Sequence, residues 1–204
     1  MRQQVRANNE LLRGATVKKC HRLEVTIAPF SQLTQANIIL IGMPGAGKST
    51  VGELLASAIN WAFLDSDRLI EKSEGSSLQE LVDTHSYTYL RDIEQGILRT
   101  IGGQQQVIAT GGSAVYSQLA IQHLHTMGPV IYLEISEATM LKRLQGQVGK
   151  NRGLAKPRDQ SLHELYTERQ ALYRSAAHIA VCCDNKDASE VCKEIYHLLA
   201  TTTH

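Results

Sequence analysis

The 204 residues carry 21 Lys plus Arg against 20 Asp plus Glu, a formal net charge of +1 that sets up no field to hold nucleic acid; aromatics at 5% argue against a base-stacking surface as well. Hydrophobic residues at 43% and charged residues at 20% suit one soluble globular domain, and no apolar run approaches the ~20 residues of a membrane span. The four cysteines have no zinc spacing, and adjacent Cys182 and Cys183 in an apolar run read as small core residues, which points to a reducing, cytoplasmic setting.

Residues 1–35 read as an N-terminal extension, with Arg2, Arg6, Arg13, Lys18, Lys19 and Arg22 outnumbering Glu10 and Glu24. It has no long apolar segment and hence no secretory signal. A loose arm, or an added strand at 23–27, is favoured over a transit peptide because serine is scarce. From Asn37 on, apolar runs at 37–42, 61–65, 106–110, 129–135 and 178–183 predict strands. Amphipathic stretches at 48–59, 67–73, 77–83, 87–102, 114–126, 136–146, 159–174 and 187–200 predict helices. Asp187 is the expected N-cap of the last one, with Val191, Ile195, Leu198 and Leu199 on a common face. Strands that are apolar throughout belong in a sheet covered on both faces, and the alternation predicts a doubly wound α/β domain over 36–204. Ligands of such sheets gather at the carboxyl ends of the strands, so chemistry is expected just after residues 42, 65 and 110.

Those positions carry the expected groups. Gly42-Met43-Pro44-Gly45-Ala46-Gly47-Lys48-Ser49-Thr50, between a strand and a helix, has the G-x-x-x-x-G-K-[ST] pattern of a phosphate-binding loop. Its backbone N–H groups, from Gly45 through Ala46 and Gly47 to Thr50, and the helix dipole would face the phosphates of ATP. Lys48 supplies a point charge for the β- and γ-phosphates, and Ser49 a hydroxyl for Mg²⁺. Asp65 and Asp67 flank Ser66 after the second strand. They suit two tasks, one near Mg²⁺ and one facing an acceptor hydroxyl, or else they simply cap a helix. Gly111 and Gly112 after the third strand allow a close backbone approach to a ligand, or merely start a helix. The glycine-punctuated basic segment at about 146–158 has the character of a lid, with Arg152 able to swing over the phosphates; a solvated loop is the alternative.

Taken jointly these residues resemble the shikimate kinase family over about 36–200. Beside the loop, the similar motifs are Asp65-Ser66-Asp67 with Ile70-Glu71, Arg91-Asp92-Ile93-Glu94, Ala109-Thr110-Gly111-Gly112, Tyr132-Leu133-Glu134, and Glu168-Arg169-Gln170-Ala171-Leu172-Tyr173. The resemblance implies a five-stranded parallel sheet of the nucleoside-monophosphate-kinase class and ATP-dependent phosphorylation of the 3-hydroxyl of shikimate. It implies that Asp67 faces that hydroxyl, that Asp65 lies near Mg²⁺ through water, and that Arg152 is the lid arginine. It further implies that Arg91 and Arg169 clamp the substrate carboxylate, that Gly111 and Gly112 line the substrate site, and that Arg143 lies against adenine. Two departures stand out. Ser113 occupies the place of a third glycine, and Gly153-Leu154-Ala155, more flexible and less bulky, replaces Pro-Leu-Leu after the lid arginine. A kinase for another small hydroxy acid such as gluconate is a second reading. A nucleotide-binding module without catalysis is a third, which the intact Lys48, Ser49, Asp65, Asp67 and Arg152 disfavour. No helix carries a heptad seam, and a monomer is expected.

Overall fold

Ile38–Ile41, all apolar and all fully shielded from solvent, form the central strand β1. They belong to a computed structural model that describes residues 36–146 and 153–201. After β1 come α1 (Lys48–Ile59), β2 (Ala62–Asp65), α2 (Ser66–Glu74), α3 (Leu78–Thr84), α4 (Tyr87–Thr100) and β3 (Gln106–Ala109). A 3₁₀ turn (Ala114–Tyr116), α5 (Gln118–Met127), β4 (Val130–Glu134), α6 (Glu137–Gln145), α7 (Leu162–Ala176), β5 (Ile179–Cys182) and α8 (Ala188–Thr201) complete the order.

The sheet runs β2-β3-β1-β4-β5 and every pairing is parallel, as the unbroken apolar runs predict. Parallel neighbours need a crossover, and the helices provide it. Helix α1 packs against α8, and α4 against α5. β1, β3 and β4 are almost wholly buried, whereas edge strand β2 is partly open along its length. The other edge strand corrects the reading of both cysteines as core residues: Cys183 is buried, but Cys182, at the end of β5, is exposed. The exposure is confined to the end of the strand, since Ile179, Ala180 and Val181 before it are buried.

Serine caps trim the predicted helices. The stretch 114–126 is not one helix: a 3₁₀ turn ends at Tyr116, and Ser117 Oγ accepts the Ala120 N–H to start α5. Ser161 and Glu164 form a capping box that starts α7 at Leu162 rather than at 159. Asp187 does cap α8, accepting from the Glu190 N–H at 2.8 Å.

A second apolar cluster, Ile70, Leu78, Leu81, Leu90 and Ala155, ties α2, α3 and α4 to the chain just before α7. It anchors residues 153–155, which the sequence reads as loose. A Cβ at Gly153 would lie 2.2 Å from the Leu78 carbonyl oxygen, so this position is held against backbone and admits only glycine without a shift. Of the expected lid, 147–152 lie outside the described residues. No helix among the described residues is long and apolar enough to cross a membrane.

Candidate active site

β1 delivers the phosphate loop to the carboxyl edge of the sheet, and α1 starts at Lys48. Lys48 Nζ folds back onto its own loop, donating to the carbonyls of Gly42 (2.7 Å) and Met43 (3.1 Å). Removal from water pushes its pKa down to about 8, while Asp67, Asp65 and Glu94 pull the other way. Ser49 Oγ donates to Asp65 Oδ2 at 2.7 Å, and Asp65 Oδ1 accepts the Asp67 N–H at 3.0 Å. One Asp65 oxygen thus caps α2, as one of the two sequence readings has it, and the other accepts from Ser49. Ser49 and Asp65 are hard oxygen donors side by side at the phosphate loop. That pair fits Mg²⁺, which takes few protein ligands and completes its shell with water and phosphate oxygens.

Asp67, in the first turn of α2, faces the glycines after β3. A Cβ on Gly111 would come within 2.6 Å of Asp67 Oδ1 and 2.3 Å of Glu94 Oε1, so the missing side chain is what lets both carboxylates approach. Gly111 N–H donates to Ser66 Oγ (2.8 Å), and the Gly112 carbonyl accepts from Tyr173 OH (2.6 Å). These bonds fix the glycine turn from α2 and from α7.

Glu94 is 3% exposed, on α4 one turn after Arg91. Ser113 Oγ donates to Glu94 Oε2, while Oε1 has no hydrogen-bond partner among the described residues. The serine that replaces a third glycine thus holds a buried carboxylate. Burial first, and then the negative charge of Asp67, push Glu94 up to about 7; the Ser113 bond, Arg169 and Lys48 oppose the shift. The sign is that of a raised acid. The folded protein keeps this proton after the unfolded chain has lost it, so the contribution is full below the ordinary carboxylate range and fades as pH rises towards 7. The melting temperature of the unliganded protein is expected to fall between pH 5 and pH 7, and Glu94→Gln is expected to flatten that slope, as thermal denaturation across the range will read.

Arg169, on α7 and 1% exposed, and Arg91, on α4, converge on one oxygen. Ala155 O accepts from Arg91 Nε (3.2 Å) and Nη2 (3.0 Å) and from Arg169 Nη2 (2.9 Å). The ring of Tyr116 stands 3.6 Å from the Arg91 guanidinium carbon and 5.3 Å from that of Arg169.

A cavity of about 130 Å³ lies between the phosphate loop and Arg169. Gly45, Gly47, Lys48, Ser49, Thr50, Asp67, Gly112 and Arg169 line it, together with Glu94, Ser113 and residues 153–155. Ala46 is buried behind the loop. Gly111 stands beside Glu94, Arg91 reaches the Ala155 carbonyl, and Asp65 joins through Ser49. Arg143 comes in from α6 and donates to the Gly45 carbonyl at 2.8 Å, against the outer side of the loop. Arg152 lies outside the described residues. Sequence reasoning gave no task to Glu94, Tyr116 or the Ala155 carbonyl. Glu94 had a signal, its i, i+3 spacing from Arg91; the other two had none.

The family model for shikimate kinase matches residues 44–200. A shikimate kinase of Sulfurihydrogenibium sp. (strain YO3AOP1) is 34% identical over 160 residues, covering 78% of this chain and 95% of that protein. Among solved structures, the shikimate kinase from Acinetobacter baumannii in complex with shikimate superimposes with a TM-score of 0.75 at 30% identity, over 85% of this chain and 97% of that one. A gluconokinase from Sinorhizobium meliloti, 21% identical with a TM-score of 0.51 over 82% of this chain and 93% of that one, shares the fold alone.

Proposed function

The chain belongs to the shikimate kinase family, and on that premise we propose that it transfers the γ-phosphate of ATP to the 3-hydroxyl of shikimate, giving shikimate 3-phosphate and ADP. The observation that carries the acceptor half is the arginine pair. Two guanidiniums converge on a single neutral oxygen, and among the described residues neither forms an ion pair with an acid. A planar carboxylate supplies the two acceptor oxygens and the charge that such a pair lacks.

In this reading Arg91 and Arg169 take the acceptor's carboxylate, and the Gly111–Gly112 turn leaves room for its ring. Asp67 accepts the proton of the 3-hydroxyl as its oxygen bonds to the γ-phosphorus and the bond to ADP breaks. Lys48 and the backbone N–H groups of Gly45 through Thr50 hold the phosphates, and Arg152 adds positive charge as the transfer proceeds. Ser49 and Asp65 would hold Mg²⁺, and the ion would offset negative charge on the phosphates. Arg143 borders the nucleotide. Residues 1–35 are an extension to a catalytic domain of 36–204, and the enzyme works as a cytoplasmic monomer that serves aromatic amino acid biosynthesis.

A coupled ADP-release assay across a panel of hydroxy acids tests the reading. Turnover with shikimate and not with gluconate supports it; turnover with another acid alone would replace it. Arg91→Lys is expected to lose nearly as much kcat/KM for shikimate as Arg91→Ala, about 10²-fold, because an ammonium cannot copy a two-pronged contact. Gly111→Ala is expected to cost roughly 10-fold to 10²-fold in kcat/KM in a protein that still folds, since its methyl group would press on both Asp67 and Glu94.

A further inference from the structure

The carboxylate clamp raises a physical difficulty that Tyr116 answers. Arg91 and Arg169 bring two guanidiniums to one place, and Arg169 is almost wholly buried. Charges taken out of water are costly unless they are partnered. An acidic partner would steady them, but it would also neutralise them and compete with an incoming carboxylate. An aromatic face does otherwise. Its quadrupole attracts a cation and leaves the net charge in place. It also suits a flat guanidinium, which stacks as an ammonium does not.

Tyr116 meets this requirement for both arginines. Its ring centroid is 3.6 Å from the Arg91 guanidinium carbon, within stacking contact, and 5.3 Å from that of Arg169. Its hydroxyl accepts from Arg169 Nε at 3.4 Å, a long bond. The residue closes the 3₁₀ turn Ala114–Tyr116, which packs on both α4 and α7, the helices that carry the two arginines. Tyr87 adds a second ring 5.0 Å from Arg91 alone. Among the described residues, Tyr116 is the aromatic ring that meets both arginines.

We propose that Tyr116 is a positioning residue that sets the spacing and plane of the Arg91–Arg169 pair, and so fits this enzyme to an acceptor bearing a carboxylate. The inference rests on reading the two arginines as that acceptor's clamp. Tyr116 does not need to touch the reacting atoms. Its contribution is to binding that is equal in the ground state and the transition state, which shows in KM rather than in kcat.

Steady-state kinetics of the full chain with shikimate and ATP, for wild type, Tyr116→Phe and Tyr116→Leu, test this. The Phe variant keeps the ring and is expected to stay within about threefold of wild type in every constant. The Leu variant is expected to raise the KM for shikimate about tenfold, with kcat and the KM for ATP within about threefold. A folded Leu variant with a wild-type KM for shikimate would overturn the inference. So would a Phe variant as impaired as the Leu variant, which would assign the effect to the long hydroxyl bond. A loss spread equally over kcat and both KM values would mark a merely structural role. A wild type inert towards shikimate would instead bring down the clamp reading, and the inference with it. Should the Leu variant not fold, arginine side-chain NMR of the wild-type protein decides. The Arg91 Hε resonance is expected upfield of the ordinary arginine range from the ring current, and a resonance within that range refutes the stacking.

Discussion

Replacing Lys48 by Met is expected to lower kcat about 10³-fold in a protein that still folds. The ammonium is the positive charge at the heart of the phosphate loop, held by two carbonyls at 2.7 and 3.1 Å and, among the described residues, by no carboxylate hydrogen bond. Neutral partners orient it and leave its charge for the γ-phosphate. Burial lowers its pKa to about 8, so it is charged at pH 7, though at a cost that Asp67, Asp65 and Glu94 reduce. Met has similar length and no charge to desolvate, so the fold has no reason to fail. The lowered pKa fixes the sign for stability. The folded protein sheds this proton near pH 8 and the unfolded chain near 10.5, so the lysine burdens the fold below that window and stops doing so above it. The Met variant is thus expected to melt no lower than wild type at pH 7. Calorimetry and ADP release on one preparation check both halves. A folded variant with wild-type turnover would remove Lys48 from the chemistry.

Asp67→Asn is expected to be comparably severe, at about 10³-fold in kcat, with shikimate still bound. The amide is isosteric with the carboxylate. The cap of α2 survives, because Asp65 Oδ1 accepts the backbone N–H of residue 67 and not its side chain. The Gly111 approach survives too, since no volume is added. What is lost is a group that can accept the acceptor's proton as the γ-phosphoryl moves. A second effect follows from Glu94. The charge of Asp67 is one of the causes that push Glu94 up to about 7, and removing it is expected to bring Glu94 back towards ordinary carboxylate values. The fall in melting temperature between pH 5 and 7 should then be shallower in Asp67→Asn. Titration calorimetry with shikimate, beside the turnover assay, separates lost chemistry from lost binding. A variant that neither binds nor turns over would make Asp67 a binding group first.

Much of this was determined by the sequence alone, and for a local reason. The phosphate loop is nine consecutive residues, and its backbone geometry follows from their order. The buried strands are unbroken apolar runs, and Asp187 and Glu190 cap α8 through a bond across three positions. Interactions of that range are written in adjacent letters. Tertiary structure decided the rest, because the partners are far apart in the chain or have no side-chain identity to read. Asp65 meets Ser49 across 16 positions, and only the parallel sheet puts the end of β2 beside the start of α1. Ser113, which breaks the family's glycine run, gains its purpose from Glu94, 19 positions away. The oxygen that Arg91 and Arg169 share is a backbone carbonyl 64 and 14 positions from them, and any residue at 155 would have supplied it. Tyr116 reaches Arg169 across 53 positions. Cys182 and Cys183, alike in sequence, part company where β5 ends: Cys182, its last residue, is exposed, and Cys183 packs in the core.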